Sequence, residues 1–231
     1  VGEDVAGAMR LVAALVVPIA AMLFVLGSDV SVLLFGYGAA TTDQAAVMGD
    51  VVSIFMIGLL PFTLFYVLLR GFYAMEDTRT PFVVTVIFSV IMLALVLSLF
   101  AFLTDLGVTS AGGPQIAGIA LGYVLAYWCG FVVLWWWLAH RLGSLQSGAT
   151  MWVLLRLLIA GGVAVLVAGV TRTATLDLLI SDGLNTQLTS LVLIMAAVIV
   201  GGPTFFFAAW LLRVREVSAA IAMVKSRVVR Q

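Results

Sequence analysis

The 231-residue chain is 64% hydrophobic and 10% charged, with no net charge and a mean hydropathy of +1.25. Soluble domains are near half apolar and a quarter charged, so this chain belongs in lipid. A neutral chain lacks the basic surface that nucleic-acid binding needs. One cysteine, Cys129, excludes an internal disulfide. One histidine, His140, excludes the usual Cys/His zinc sites, and no P-loop motif occurs, so no cofactor is expected.

A helix crosses the ~30 Å hydrocarbon core in roughly 20 residues, and six runs qualify. The chain opens on Val1 with no basic-then-apolar leader, which predicts an excerpt of a longer polytopic protein. The first span is predicted over Met9–Leu26, with Pro18 in its middle. The second covers Gln44–Leu69, opened by Thr42-Asp43 as capping pair and interrupted by Pro61. The third runs Phe82–Leu103 from Pro81, a good first-turn residue. The fourth, Ile116–Ala139, follows a turn at Ala111-Gly112-Gly113-Pro114. The fifth is Met151–Val170, and the sixth, Leu188–Leu212, contains Pro203. These runs are apolar all round, unlike the striped helices of a soluble bundle. The fold class is therefore an all-α integral membrane protein, with residues 1–212 as its six-helix region.

Arginine and lysine placement orients the spans. With the amino terminus inside, cytoplasmic segments hold Arg10, Arg70, Arg79, Arg141, Arg156, Arg213, Arg215, Lys225, Arg227 and Arg230; outer segments hold only Arg172. Both ends of the chain are thus predicted to be cytoplasmic. Past the sixth span, Val214, Val217, Ile221, Val224 and Val228 keep a helical spacing, so residues 213–231 read as a basic amphipathic juxtamembrane helix.

Small residues mark helix contacts in lipid, because close backbone approach and dispersion hold such helices together. Gly118, Gly122, Ala126 and Gly130 form one ridge on the fourth span; Ala160, Ala164 and Ala168 form another on the fifth. Asp50 is the carboxylate predicted to lie inside a span, about two turns below its outer end, and is a candidate coupling group. His140 reads as an interfacial residue and Cys129 as a small packing residue.

The loop between the second and third spans packs four charges into ten residues, from Arg70 to Arg79. Arg70 suits the carbonyl end of the second span. Asp77 or Thr78 can satisfy free amides at the start of the third, and Arg70 or Arg79 can pair with Asp77 to brace the turn.

The run Arg70-Gly71-Phe72-Tyr73-Ala74-Met75-Glu76-Asp77-Thr78-Arg79-Thr80-Pro81 resembles the loop between the tenth and eleventh helices of the MurJ/MviN family of lipid II flippases. Pro18 and Leu34-Phe35-Gly36 resemble that family's ninth helix and its following turn. Gly58-Leu59-Leu60-Pro61 resembles the approach to the loop, and Gly118 to Gly122 the start of the twelfth helix. The resemblance covers essentially the whole chain, as the last six of fourteen helices.

It implies a multidrug/oligosaccharidyl-lipid/polysaccharide exporter fold in the bacterial inner (plasma) membrane. The activity implied is alternating-access transport of undecaprenyl-pyrophosphate-linked peptidoglycan precursor (lipid II) for cell wall biosynthesis, with no catalytic residues. Spans five and six would form a groove for the polyprenyl tail, while the pyrophosphate-binding arginines belong to earlier helices. Some members bind sodium through Asn and Asp in the eleventh helix; the matching positions are near Met92 and Val96, whose side chains cannot ligate a hard cation. Actinobacterial members often continue into a cytoplasmic pseudokinase-like domain with cell-wall regulatory partners, which the basic tail and high-GC composition would suit. The alternatives are another exporter of the superfamily, whether a drug/cation antiporter or a polysaccharide flippase, and a non-transporting membrane anchor for a signalling domain. An enzyme is disfavoured, because no His, Asp or Glu cluster gathers near one membrane face.

Overall fold

The structure, a computed structural model, describes residues 2–37, 41–106, 114–142, 147–179 and 185–214. It is built of six helices: α1 Gly2–Phe35, α2 Thr42–Tyr73, α3 Arg79–Asp105, α4 Pro114–Leu142, α5 Ser147–Leu179 and α6 Thr186–Leu211. Each is long and apolar enough to cross a membrane. The predicted turn at 111–113 and the tail from residue 215 lie outside the described residues.

The helices overrun the predicted spans at both ends. The 34 residues of α1 measure about 50 Å, some 20 Å more than the hydrocarbon core. Two features let α1 continue. Glu3 and Asp4 stand in its first turn, where the helix dipole favours anions, and Asp29 near the far end is neutralised by another helix. The capping residue of α2 is Thr41, one before the predicted pair: it and Gln44 form a reciprocal capping box. Pro18, Pro61 and Pro203 all lie inside continuous helices.

Successive helices run up and down. One end of the bundle brings together Val5, Gly71 and Leu138; the other brings together Gly27 with Gly49 and Gly36 with Gln187. Helix α1 is central, packing on α2, α5 and α6, whereas α3 packs almost wholly on α4. The core holds Met9, Leu64, Phe65, Leu68, Phe72, Leu134, Leu138, Leu157 and Phe205, all almost fully buried. Around Phe65 and Phe88 the rings of Phe62, Tyr66, Tyr123 and Tyr127 pack edge-on or tilted, with centroids 4.7–5.8 Å apart. Outside lies apolar surface: Phe82, Val86, Val90, Leu93 and Leu97 of α3 are all exposed, as lipid-facing residues must be.

The small-residue ridges set the closest approaches. A Cβ on Gly122 would sit 2.6 Å from the Cα of Val96, one on Gly118 3.0 Å from the Cα of Phe100, and one on Gly130 2.8 Å from the Phe88 ring. The ridge on α4 therefore faces α3. Ala126 within it is fully buried, as are Ala160, Ala164 and Ala168 on α5.

Candidate functional site

The loop between α2 and α3 is built by two local devices. Helix α2 ends in a Schellman turn: the Asp77 amide donates to the Phe72 carbonyl (3.2 Å) and the Glu76 amide to that of Tyr73 (3.0 Å). This puts Glu76 in the left-handed region (φ 58°). Asp77 then caps α3, accepting from the amides of Arg79 (3.1 Å) and Thr80 (3.0 Å) and from the Thr80 hydroxyl (2.6 Å). Thr78 occupies the N-cap position but makes no side-chain cap bond. Pro81 is buried and sits inside the first turn of α3, which begins at Arg79, three residues before the predicted span.

The ionic partner of Asp77 differs from the expected one. Neither Arg70 nor Arg79 pairs with it; Arg141, at the end of α4, does, and also donates to the Thr80 hydroxyl (3.3 Å). One carboxylate thus collects four donors from two helices. The two Thr80 hydrogen bonds, then Arg141, hold its carboxyl well below the usual carboxylate range. Phe72 beneath the loop is fully buried and meets the Trp137 ring edge-on (6.5 Å), whereas Tyr73 and Arg79 are exposed. Arg70 is exposed too and lines a cavity of about 380 Å³ with Val12, Phe62, Thr63, Tyr66 and Val67.

At the opposite end the structure assembles a second cluster, around Arg172, the one arginine expected in an outer segment. Helices α1 and α2 touch backbone to backbone: a Cβ on Gly49 would fall 2.2 Å from the Cα of Ser28, and one on Gly27 2.5 Å from the Gly49 carbonyl. Beside this crossing Asp29, only 5% exposed, pairs with Arg172 of α5 through both carboxylate oxygens, with Arg172 Nη2 3.0 Å from Oδ1. Asp50 is exposed and accepts from Ser28 Oγ (2.7 Å). A guanidinium within a span is costly unless paired, and bidentate pairing offsets that cost. A signal for this contact was present: Ala45, Gly49 and Ser53 repeat every four residues on α2, as do Gly27 and Ser31 on α1.

Arg10 of α1 forks onto Thr150 Oγ1 of α5 (3.1 and 2.9 Å), and Thr150 is fully buried. So α1 and α5 are pinned near both ends, once by an arginine of each helix. Between the pins lies an apolar cavity of about 220 Å³, walled by Val17, Ala21 and Phe24 of α1 and by Leu158, Gly162 and Val165 of α5, with α2 and α4 closing it.

The positions matching sodium ligands are built for packing: Val96 lies against Gly122 and Met92 on the core. Among the described residues no three His, Cys, Asp or Glu side chains converge. Cys129 is exposed on α4 rather than packed, because it lies beside the ridge and not on it. His140 packs at a tilt against the Trp136 ring, with centroids 4.7 Å apart.

A family model described as "Lipid II flippase MurJ" matches residues 1–212. A "Probable lipid II flippase MurJ" from Buchnera aphidicola subsp. Baizongia pistaciae is 34% identical over 128 residues, which is 55% of this chain and 23% of that protein. One from Rhizobium tropici is 34% identical over 142 residues, 59% of this chain and 26% of that protein. The chain thus spans about a quarter of the relatives it matches. A solved structure of "Lipid II flippase MurJ, inward closed conformation" superposes with a TM-score of 0.60 at 17% identity, covering 92% of this chain and 38% of that one.

Proposed function

The chain belongs to the lipid II flippase MurJ family, and we propose that it works as the carboxy-terminal helical part of a lipid II flippase in the bacterial inner membrane. The whole transporter would carry the undecaprenyl-pyrophosphate-linked precursor between leaflets by alternating access, without covalent chemistry. The family match across residues 1–212 is the observation that carries this reading. The arginine asymmetry supports a topology with the Asp77 loop and both ends of the chain in the cytoplasm. A pseudokinase-like domain and its cell-wall regulators are the further partners this reading admits, approached through the basic segment 213–231.

In alternating access a lobe must move as a unit, since packed helices exchange between discrete arrangements rather than deform. The Asp77–Thr80–Arg141 cluster would serve that need. It fixes the α2–α3 turn to the end of α4, so that three helices turn together, with Arg70 left free on the exposed side. Arg70, Phe72, Tyr73, Thr78, Arg79 and Pro81 shape the same loop, and Asp50 remains the candidate coupling carboxylate. The test is complementation of a flippase-depleted strain by the full-length protein. Asp77→Ala and Arg141→Gln should each fail to restore growth at normal expression, and Arg141→Lys should restore it in part. Growth of the Asp77→Ala strain at the wild-type rate would remove the latch. Failure of the wild-type protein itself would remove the flippase reading in favour of another exporter or an anchor.

A further inference from the structure

Helix α5 carries two arginines within its apolar length, and they are treated differently. Arg172 faces inward, onto Asp29. Arg156 is half-buried, at the edge of the outward side. Trp152, Leu155, Ile159 and Val163 are all exposed, while Leu154, Leu157, Ala160 and Ala164 are buried, so Arg156 stands where the lipid-facing side of α5 meets the packed one. Its guanidinium lies over the Trp152 ring, 5.1 Å from the centroid. Arg141 and Arg172 are paired with carboxylates, whereas among the described residues no carboxylate meets Arg156.

Depth gives this pair its meaning. The 33 residues of α5 are about 50 Å long against about 30 Å of hydrocarbon, so a centred helix extends about 10 Å past each boundary. Arg156, nine residues after Ser147, then lies roughly 13 Å along, just inside the boundary. Trp152, one turn earlier, lies among the headgroups, where indole rings settle. The stacking directs the guanidinium back toward those headgroups, as a snorkelling arginine requires. A cation at that edge and depth has one class of anion within reach: the phosphate of a lipid.

We propose that Arg156 and Trp152 form a phosphate-binding site for an anionic glycerophospholipid headgroup, in the leaflet that meets the amino end of α5. The guanidinium edge donates to two phosphate oxygens at once, and the indole holds its plane by cation–π contact. A zwitterionic headgroup is the poorer ligand. Its own ammonium competes for the phosphate, and the indole face that would receive that ammonium is already covered by Arg156. The bound lipid would stand on the outer surface of α5, away from the cavity between α1 and α5.

Native mass spectrometry of the chain released from nanodiscs of mixed phosphatidylglycerol and phosphatidylcholine tests this. The wild type should retain phosphatidylglycerol selectively. Arg156→Gln should lower that retention at least five-fold, Trp152→Leu about two- to three-fold, and Arg156→Lys less than Arg156→Gln. Arg213→Gln, at an exposed arginine of the same end, should leave it unchanged. Equal retention by wild type and Arg156→Gln would overturn the site, and so would an equal loss in Arg213→Gln, which would mean a diffuse basic surface. Millimolar inorganic phosphate should not displace the lipid. Displacement by it, or by undecaprenyl pyrophosphate at equal concentration, would assign the site to free phosphate or to a polyprenyl-linked cargo and overturn the phospholipid assignment. The substitutions at Trp152 and Arg156 leave the buried Leu154, Leu157, Ala160 and Ala164 of α5 unchanged, and Arg156→Lys keeps the charge as a control on folding.

Discussion

Asp77 is the residue on which the loop turns, and its behaviour with pH follows from its surroundings. Its carboxyl is held low in the folded chain, chiefly by Thr80 and then by Arg141. A group with a depressed folded pKa contributes fully above its unfolded value and loses that contribution only as pH falls through the lower folded one. Amide exchange at Thr80, corrected for intrinsic rate, should therefore stay protected from pH 7 to about 4, near the unperturbed carboxylate value. Asp77→Ala, which leaves the amide without an acceptor, should abolish that protection across the whole range. Loss of wild-type protection already near pH 5 would contradict this account. Asp29 and Arg172 illustrate the other kind of charge, paired inside the membrane. Removing one partner of a buried pair costs about 3–5 kcal/mol, whereas replacing both by apolar groups is often neutral. Asp29→Asn should thus lower thermal stability in detergent sharply, and Asp29→Leu with Arg172→Leu should recover most of it. A double variant as unstable as the single one would mean that the pair does more than neutralise itself.

At the scale of helices, glycine positions decide how closely neighbours approach. Gly122→Ala would drive a methyl group to 2.6 Å from the Val96 Cα, and overpacking of that kind costs about 1–3 kcal/mol. Gly162→Ala meets nothing within 4 Å and should be neutral or slightly stabilising, since alanine is the better helix residue. Melting temperatures of the two variants should separate accordingly; equal values would mean that the α3–α4 contact is looser than this geometry. The end of α2 offers the reverse case. Glu76 holds a left-handed backbone (φ 58°) that costs a side-chain-bearing residue about 1 kcal/mol, so Glu76→Gly should stabilise the chain by about 0.5 kcal/mol after the entropy of glycine is counted. The Schellman turn that demands this conformation was not foreseen, because its usual glycine is missing from the sequence.

For the molecule as a whole, α1 joins two groups: α2 to α4 on one side and the α5–α6 pair on the other. The pins at Arg10–Thr150 and Arg172–Asp29 tie α5 to α1 near both membrane faces. The arginine asymmetry predicts which face is which. In a Cys129→Ser background, a thiol at Thr41→Cys should react with an impermeant maleimide added to intact cells, and one at Thr78→Cys should react only after lysis. Labelling of Thr78→Cys from outside would invert the topology and move the Asp77 loop out of the cytoplasm.

The sequence by itself determined that six helices span lipid and where the α2–α3 loop lies, because hydrocarbon excludes unpaired backbone and charge and so writes itself into composition. It also marked the α4 ridge, since Gly118, Gly122, Ala126 and Gly130 repeat at the period of a helix face. It did not give the partners of the charges. Arg141 stands 64 residues from Asp77, and Arg172 stands 143 from Asp29; only packing brings them together. Asp29 lies past the predicted end of the first span at Leu26, yet it is buried inside α1, where tertiary structure supplies the guanidinium. Likewise the ring under Arg156 was visible as spacing, but which side of α5 faces lipid depended on where α1 and α6 pack against it.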